Sequence, residues 1–331
     1  MADDGAPENR IASPGRHDRD VRERRIVETN LPDGAGSDEP GSWIRLAVVL
    51  LHLVPRNAIS RWAGRVASLR LPGPLQRAEI RLFARLAGVD LEEAREPVEA
   101  YVSLQDFFTR RLRPEARPIQ GDERSLVSPC DGVWGAAGRI RSGMLVQVKG
   151  RRYPVAELLG DADLASRYEG GFFATFYLSP RDYHRFHTPA AGRIRRLDYH
   201  PGSLWPVNAI GLHGIDRLFA RNERICAYLE VDEDSGAERS PLPLVLVAVG
   251  AMMVGSVRLA FDDLRTNPRD RKAVRRDLGE RAPSFFRGQE WGHFEFGSTI
   301  LLLTPPSRYE IDLQPLGSAV RMGEVIGRRL A

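Results

Sequence analysis

Cysteine is scarce in this sequence: Cys130 and Cys226 are the only two among 331 residues. Two thiols exclude the disulfide framework of a small secreted scaffold, and their spacing is not that of a zinc site. The GxGxxG and GxxxxGKS/T phosphate loops are also absent, as are internal repeats. We therefore expect neither a nucleotide-binding loop of these types nor a bound metal.

The sequence also lacks an apolar run of about 20 residues, the length that crosses a bilayer. The longest early candidate, Trp43 to Val54, is too short and contains Arg45 and His52. The N-terminus is polar and acidic, which predicts that no signal peptide is present. The hydrophobic fraction of 42% is ordinary, so we expect most of the chain to be globular.

Charge is distributed unevenly along the chain. Residues 1–40 hold ten acids and six arginines, a net charge of −4, so the remainder of this +4 chain carries about +8. Much of the excess lies in residues 45–86, where eight arginines accompany one acid, Glu79. Such a segment suits nucleic acid, lipid headgroups or an ordinary solvated face, and charge alone does not decide among them.

Three regions differ in pattern. Residues 1–41 lack apolar periodicity, which predicts a disordered tail, and we assign it no function. Residues 42–115 show helical spacing, for example at Leu82 and Leu86, whereas residues 116–331 alternate short β-like runs with Gly and Pro turns. We therefore expect an α+β fold, in which an N-terminal amphipathic helical region precedes a β-rich domain of mostly antiparallel sheets.

The amphipathic region has two interpretations. Its helices are apolar on one side and carry arginines on the other, as in segments that lie in a membrane interface. A helical subdomain that packs on the rest of the protein gives the same pattern. The periodicity alone leaves both open.

Two short motifs place polar side chains where chemistry could occur. "SPCDG" (128–132) holds Asp131 in a turn, although an ordinary Asp-Gly turn explains it equally well. "LSPRDYHRFHTP" (178–189) holds His184 and His187, and Ser179 and Pro180 predict a helical turn that would give both histidines one face. Paired imidazoles can bind a metal or act as acid and base, but no third ligand is evident.

A third motif, "EWGHFEFGSTILLLTPP" (290–306), has two strand-like runs separated by Gly297-Ser298-Thr299. A serine, a histidine and an aspartate would suit a serine hydrolase, but Ser298 has no GxSxG elbow around it. The alternative is that Ser298 Oγ attacks the carbonyl of its own preceding residue, Gly297, where the absent side chain leaves the carbonyl unshielded.

Six motifs occur in a fixed order along the chain. They are "FFTRRLRPEARPI" (107–119), "SPCDG" (128–132), "YHRFHTP" (183–189), "VNAIGLHGIDRLFARNERI" (207–225), "VAVGAMMVGS" (247–256) and "GQEWGHFEFGSTI" (288–300). Together they give the chain a resemblance to the phosphatidylserine decarboxylases, a membrane-associated, pyruvoyl-dependent family. The resemblance covers roughly residues 43–331.

The resemblance implies self-cleavage between Gly297 and Ser298, which yields a larger β chain, residues 1–297, and an α chain, residues 298–331. Ser298 would become a pyruvoyl group that forms a Schiff base with phosphatidylserine, releasing CO2 and phosphatidylethanolamine. Asp131, His187 and Ser298 would form the self-cleavage triad with His187 as the base. His184 matches the histidine assigned to decarboxylation.

The implied partners are phosphatidylserine, an anionic membrane surface and the protein's own α and β chains, and a homodimer stays open. We expect a peripheral location on the cytoplasmic side of the cell membrane. Nucleic acid is not expected, because no stacking aromatics interleave with the arginines. The chain departs from the family at Cys130, where Ala is common, and at Phe296, where Leu is frequent.

Three rival hypotheses remain at this stage. A serine hydrolase would use the same triad on an external ester and stay a single chain. A non-enzymatic membrane-surface protein would have lost part of the site, yet Asp131, both histidines and Gly-Ser-Thr are all present. A pyruvoyl decarboxylase of soluble amino acids would not need the basic apolar segment at 43–86.

Overall fold

The computed structural model describes residues 44, 48–51, 55–147, 151–232, 242–252, 256–268, 270, 272–295 and 297–330. The predicted tail at 1–41 and the departure at Phe296 lie outside these residues. The α-helices with named bounds are α1 (Arg56–Ala67), α2 (Gly73–Ala87), α3 (Leu104–Phe108), α4 (Val155–Leu159), α5 (Ala162–Ser166), α6 (Ala209–Gly214) and α7 (Leu218–Arg221). Short 3₁₀ turns cover Val98–Ala100, Pro114–Ala116 and Gly279–Arg281.

The strands of the described residues belong to four sheets, in which every strand pair is antiparallel. In chain order they are β1 (Ser125–Val127), β2 (Gly132–Arg139), β3 (Met144–Val146), β4 (Arg152–Pro154), β5 (Phe172–Tyr177), β6 (Arg185–His187), β7 (Gly192–His200), β8 (Arg224–Val231), β9 (Leu244–Val249), β10 (Val257–Leu259), β11 (Val274–Asp277), β12 (Ser284–Phe285), β13 (Glu290–Phe294), β14 (Thr299–Leu303), β15 (Tyr309–Ile311), β16 (Ala319–Val320) and β17 (Val325–Arg329). The predicted α+β class with mostly antiparallel sheets is confirmed.

The sequence of helix α2 explains where this helix begins, where it ends and which face it buries. Pro74 lies in its first turn, where the missing N–H would have no intrahelical partner. The helix ends at Gly88, which adopts a φ of 77° and whose N–H bonds to Ala84 O. Its buried face, Ile80 and Ala84, packs in a cluster with Phe107 of α3. No helix among the described residues has the length and hydropathy needed to cross a bilayer.

The largest sheet has nine strands, in the order β11-β7-β8-β9-β14-β5-β2-β16, with β12 paired to β7. Strand β14 lies inside it, hydrogen-bonded to β9 and β5 on its two sides. All five residues of β14 are buried. Ile300 and Leu302 belong to one hydrophobic cluster, and Leu301 and Leu303 belong to another. The apolar run is therefore continuous because both faces of this strand are covered.

Strand β13 belongs to a different, three-stranded sheet of order β10-β13-β6. The segment 290–306 thus contains the two strands that the alternation and the apolar run predict, and these two strands lie in different sheets. Gly297 and Ser298 are where the chain leaves one sheet and enters the other, outside both ladders.

Candidate active site

Ser298 is the residue immediately before β14. Its carbonyl oxygen accepts a hydrogen bond from Leu178 N–H at 2.8 Å. The residue is only 3% exposed, and its Oγ has no hydrogen-bond partner. A buried hydroxyl without a partner costs about 1–3 kcal/mol, so a serine here is not explained by stability.

Gly297 lies against an imidazole. A Cβ atom built on Gly297 would be 3.0 Å from Leu178 O and 3.1 Å from His184 Nε2. A side chain at this position would therefore crowd the ring. Glycine allows the imidazole to approach the Gly297–Ser298 peptide bond.

His184 is fully buried, and its Nδ1 lies 2.8 Å from Asp182 O. A carbonyl oxygen only accepts hydrogen bonds, so Nδ1 carries the proton and Nε2 of the neutral ring keeps its lone pair. Nε2 has no hydrogen-bond partner and faces Gly297. The ring of Phe108 packs against the imidazole with 4.0 Å between ring centroids. His184 therefore presents a fixed, unprotonated Nε2 to Gly297.

Arg110 holds the turn that precedes His184 and affects the charge of its imidazole. Its Nη2 donates to the carbonyl oxygens of Arg181 and Asp182, at 3.0 and 3.3 Å. Burial, and secondly the positive charge of Arg110, lower the pKa of His184 from 6.5 to about 3. The imidazole is therefore neutral at physiological pH.

His187 lies at the end of β6, where β6 pairs with β13. Its Nδ1 donates to Gly288 O at 2.9 Å, and its Nε2 lies 3.3 Å from the hydroxyl of Tyr183. Burial lowers the pKa of His187, while the hydrogen bond to Gly288 and the charges of Glu290 and Asp131 act in the opposite direction. The Nε2 lone pair is therefore engaged by Tyr183 in this structure.

The helical turn expected at the two histidines is wrong. His187 is in strand β6, and His184 immediately precedes that strand. Ser179 N–H donates to Asp182 Oδ2 at 2.7 Å, but this hydrogen bond closes a turn that ends before the histidines. Pairing with β13, about 100 residues away in the chain, decides the conformation.

Asp131 lies between β1 and β2 and is 5% exposed. Its carboxylate accepts hydrogen bonds from Arg117 Nε at 2.9 Å, from Arg117 Nη2 at 2.6 Å and from Met322 N–H at 2.8 Å. No described hydrogen bond joins it to His187. The two residues are linked through the backbone, because His187 N–H donates to Pro129 O at 2.7 Å.

Arg117 connects this carboxylate to the helical region. Its Nη2 also donates to Glu93 Oε2 at 2.7 Å. Burial opposes the charge on Arg117, but the hydrogen bonds to Asp131 and Glu93 outweigh it and raise its pKa. The guanidinium therefore bridges two carboxylates from different parts of the fold.

Cys130, where the family resemblance leads us to expect Ala, is fully buried and forms no disulfide. Burial raises the pKa of its thiol well above the usual range. The thiol is therefore protonated at neutral pH and does not compete with Ser298 as a nucleophile.

The structure thus brings Gly297, Ser298 and His184 together, and it places Asp131 and His187 on neighbouring segments without a direct hydrogen bond. The sequence argument did not single out Arg110, Arg117 or Tyr183. All three lie within quoted motifs. The arginines of "FFTRRLRPEARPI" were the sequence feature that could have indicated partners for the buried site residues. Among the described residues, no group of three or more His, Cys, Asp or Glu side chains could hold a metal ion.

The α+β fold therefore places a buried serine and a neutral imidazole beside one Gly-Ser peptide bond. Comparison with known proteins identifies the family. The phosphatidylserine decarboxylase family profile matches residues 104–328. The chain belongs to the phosphatidylserine decarboxylase family and is a carboxy-lyase.

Curated relatives agree over most of their length. The phosphatidylserine decarboxylase proenzyme of Anaeromyxobacter sp. (strain K) is 42% identical over 286 residues, which cover 86% of this chain and 98% of the relative. The proenzyme of Chromobacterium violaceum is 44% identical over 286 residues, 85% of this chain and 98% of the relative. The proenzyme of Brevibacillus brevis is 38% identical over 284 residues, which cover 85% of this chain and 97% of the relative.

Proposed function

We propose that this chain decarboxylates phosphatidylserine to phosphatidylethanolamine and CO2 by means of a pyruvoyl group made from its own Ser298. The chain is first a proenzyme, as its relatives are named. Ser298 Oγ attacks the Gly297 carbonyl carbon and replaces the amide bond with an ester. Elimination releases the Gly297 carboxylate and leaves dehydroalanine, and water then converts this residue to the pyruvoyl group and ammonia.

The observation that carries this proposal is the buried Ser298 Oγ, which has no hydrogen-bond partner and adjoins a glycine that His184 Nε2 approaches. The residues therefore fit a small carbonyl group at position 298. That carbonyl supplies an electron sink to the amine of the serine headgroup. The surrounding protein binds and orients the lipid, excludes water and moves protons.

The position of the cut also supports the proposal. Cleavage would give a β chain of residues 1–297 and an α chain of residues 298–331. Strand β14 would begin one residue after the new terminus, and it is hydrogen-bonded between β9 and β5. Every residue of β14 is buried, so the two chains would stay assembled after the break.

The division of roles follows the family resemblance. We propose that His187 accepts the Ser298 proton during self-cleavage and that Asp131 stabilises the imidazolium. Support comes from the Pro129–His187 backbone bond and from the field of Asp131, which favours protonation of His187. This role requires the Tyr183 hydroxyl to leave His187 Nε2. We propose that His184, whose Nε2 is beside Gly297, moves the proton in the mature decarboxylase.

A lipid substrate requires access to a bilayer, and we propose a peripheral location on the cytoplasmic side of an anionic membrane. Leu75, Leu82 and Leu86 are 60%, 58% and 78% exposed, and their spacing puts them on one face of α2. Trp62 on α1 is 64% exposed. An exposed apolar stripe beside arginines favours the interfacial position over a subdomain that only packs internally.

The proposal is tested by phosphatidylserine decarboxylation with a carbonyl reagent. Purified protein is incubated with phosphatidylserine labelled in the serine carboxyl group, and released CO2 is counted. Pretreatment with phenylhydrazine should abolish release and, because a hydrazone forms with loss of water, add the reagent's mass less one water to the 298–331 chain. Activity that survives the reagent, with no added mass, would contradict a pyruvoyl mechanism.

A further inference from the structure

An open cleft of about 460 Å³ lies between α1 and the segment 256–268. Its lining includes four arginines and one acid: Arg61, Arg65, Arg258, Arg265 and Glu295. The described wall therefore carries more positive than negative charge. Like charges held around one space repel each other, and an anion placed among them relieves that repulsion.

The arginines are unequally engaged. Arg61 Nη1 donates to Asn267 Oδ1 at 3.1 Å, and Arg258 Nε pairs with Glu295 Oε1 at 3.0 Å. The side chains of Arg65 and Arg265 make no hydrogen bond or ion pair with any described residue. Toward the described residues, the guanidinium donors of Arg65 and Arg265 are therefore unengaged.

The cleft is joined to the active site through its floor. Gln105 Nε2 donates to Glu295 O at 2.7 Å, and both residues line the cleft. Gln105 shares helix α3 with Phe108, whose ring packs on His184. Glu295 precedes Ser298 by three residues, so their Cα atoms are at most about 11 Å apart.

We propose that this cleft binds the phosphodiester of a phospholipid headgroup. A guanidinium presents paired N–H groups that match two phosphate oxygens. In a phosphatidylserine headgroup the amine and the phosphate are only a few covalent bonds apart, so a phosphate held here directs the amine toward position 298. Trp62 lies on α1, the helix that also carries Arg61 and Arg65, and its exposed side chain is available to contact acyl chains. The inference rests on the proposed function, because that function supplies the lipid.

The phosphodiester has two sources, the substrate itself or a neighbouring anionic lipid, and one pair of variants separates them. The cleft variant is Arg65→Gln with Arg265→Gln. The control is Arg152→Gln with Arg193→Gln, which removes the same charge from exposed arginines outside the cleft and outside residues 45–86. Both are first checked for self-cleavage on a denaturing gel, which does not involve a lipid.

Two kinetic assays follow. The first uses monomeric dihexanoylphosphatidylserine without a bilayer. The second uses phosphatidylserine in phosphatidylcholine vesicles, with and without phosphatidylglycerol. An increase in KM of about tenfold or more for the monomer, in the cleft variant only, supports binding of the substrate phosphate. Unchanged monomer kinetics with loss of the phosphatidylglycerol effect, again in the cleft variant only, supports binding of a neighbouring lipid.

Equal behaviour of the cleft and control variants in both assays would overturn the inference. Failure of the proposed function gives a different result. In that case the wild type itself would remain a single chain and would release no CO2 from either substrate.

Discussion

Arg110 and His184 share one acceptor, the carbonyl oxygen of Asp182. Arg110 Nη2 lies 3.3 Å from it and His184 Nδ1 lies 2.8 Å from it. The shared carbonyl keeps the proton on Nδ1, and the nearby cation opposes a second proton on the ring. Arg110 thus helps fix both the tautomer and the charge of the imidazole that faces Gly297.

Removing the charge of Arg110 should raise the pKa of His184. Burial and Arg110 lower that pKa from 6.5 to about 3, so the ring is neutral at all pH values well above 3. In Arg110→Met the titration midpoint should move upward toward 6.5 but stay below it, because burial remains. Histidine Cε1 NMR of the uncleaved Ser298→Ala protein measures the midpoint, with His184→Gln for assignment. Arg110→Lys should keep it low, and an unchanged midpoint in Arg110→Met would contradict the assignment.

The two histidines should fail at different stages. His187→Ala should leave a full-length chain, because the base for Ser298 is gone. His184→Ala should still give two chains, but its decarboxylation rate should fall by about 10²-fold or more. A denaturing gel and labelled CO2 release measure the two steps separately. The reverse pattern would assign the self-cleavage base to His184, whose Nε2 is the one beside Gly297.

Asp131→Asn should destabilise the protein as well as block its self-cleavage. Arg117 has a side chain only 7% exposed, and it would keep Glu93 but lose the charge of its more buried partner. We expect a loss of about 2–3 kcal/mol in the free energy of unfolding, measured by urea denaturation in the Ser298→Ala background, because hydrogen bonds to a charged group are weakened. Adding Arg117→Met should recover part of that loss. Additive effects of the two changes would show that the pair is not coupled.

The exposed stripe of α2 should govern membrane binding. Leu82→Ser with Leu86→Ser should weaken binding to vesicles of phosphatidylserine and phosphatidylcholine by about tenfold or more, because two apolar side chains no longer enter the interface. Co-sedimentation measures the bound fraction. Leu316→Ser, an exposed leucine outside the helical region, is the control. Equal binding of all three proteins would count against this surface.

The sequence predicted the two strands around Gly297-Ser298, because alternation and a continuous apolar run are local signals of half-buried and fully buried strands. It did not predict that they belong to different sheets, which depends on pairing with β6 on one side and with β5 and β9 on the other. The same long-range pairing overrode the local signals for a helical turn near His187.

The site was predicted only in part for a similar reason. Ser298 and His184 were identified from motifs, and the fold brings their segments together. The ion pair of Arg117 with Asp131 joins residues 14 positions apart. Arg110 reaches the carbonyl of Asp182 across 72 positions. No spacing rule in the sequence specifies such contacts, because they depend on how the helical region packs against the β-rich one.

The central claim is that Ser298 cuts the chain and becomes a pyruvoyl group. Intact mass under denaturing conditions tests it most directly, with Ser298→Ala measured alongside. We predict two wild-type chains divided between Gly297 and Ser298, with the mass of the smaller fitting residues 298–331 with a pyruvoyl terminus, and one full-length chain for the variant. A single full-length wild-type chain after incubation with anionic lipid would contradict the account.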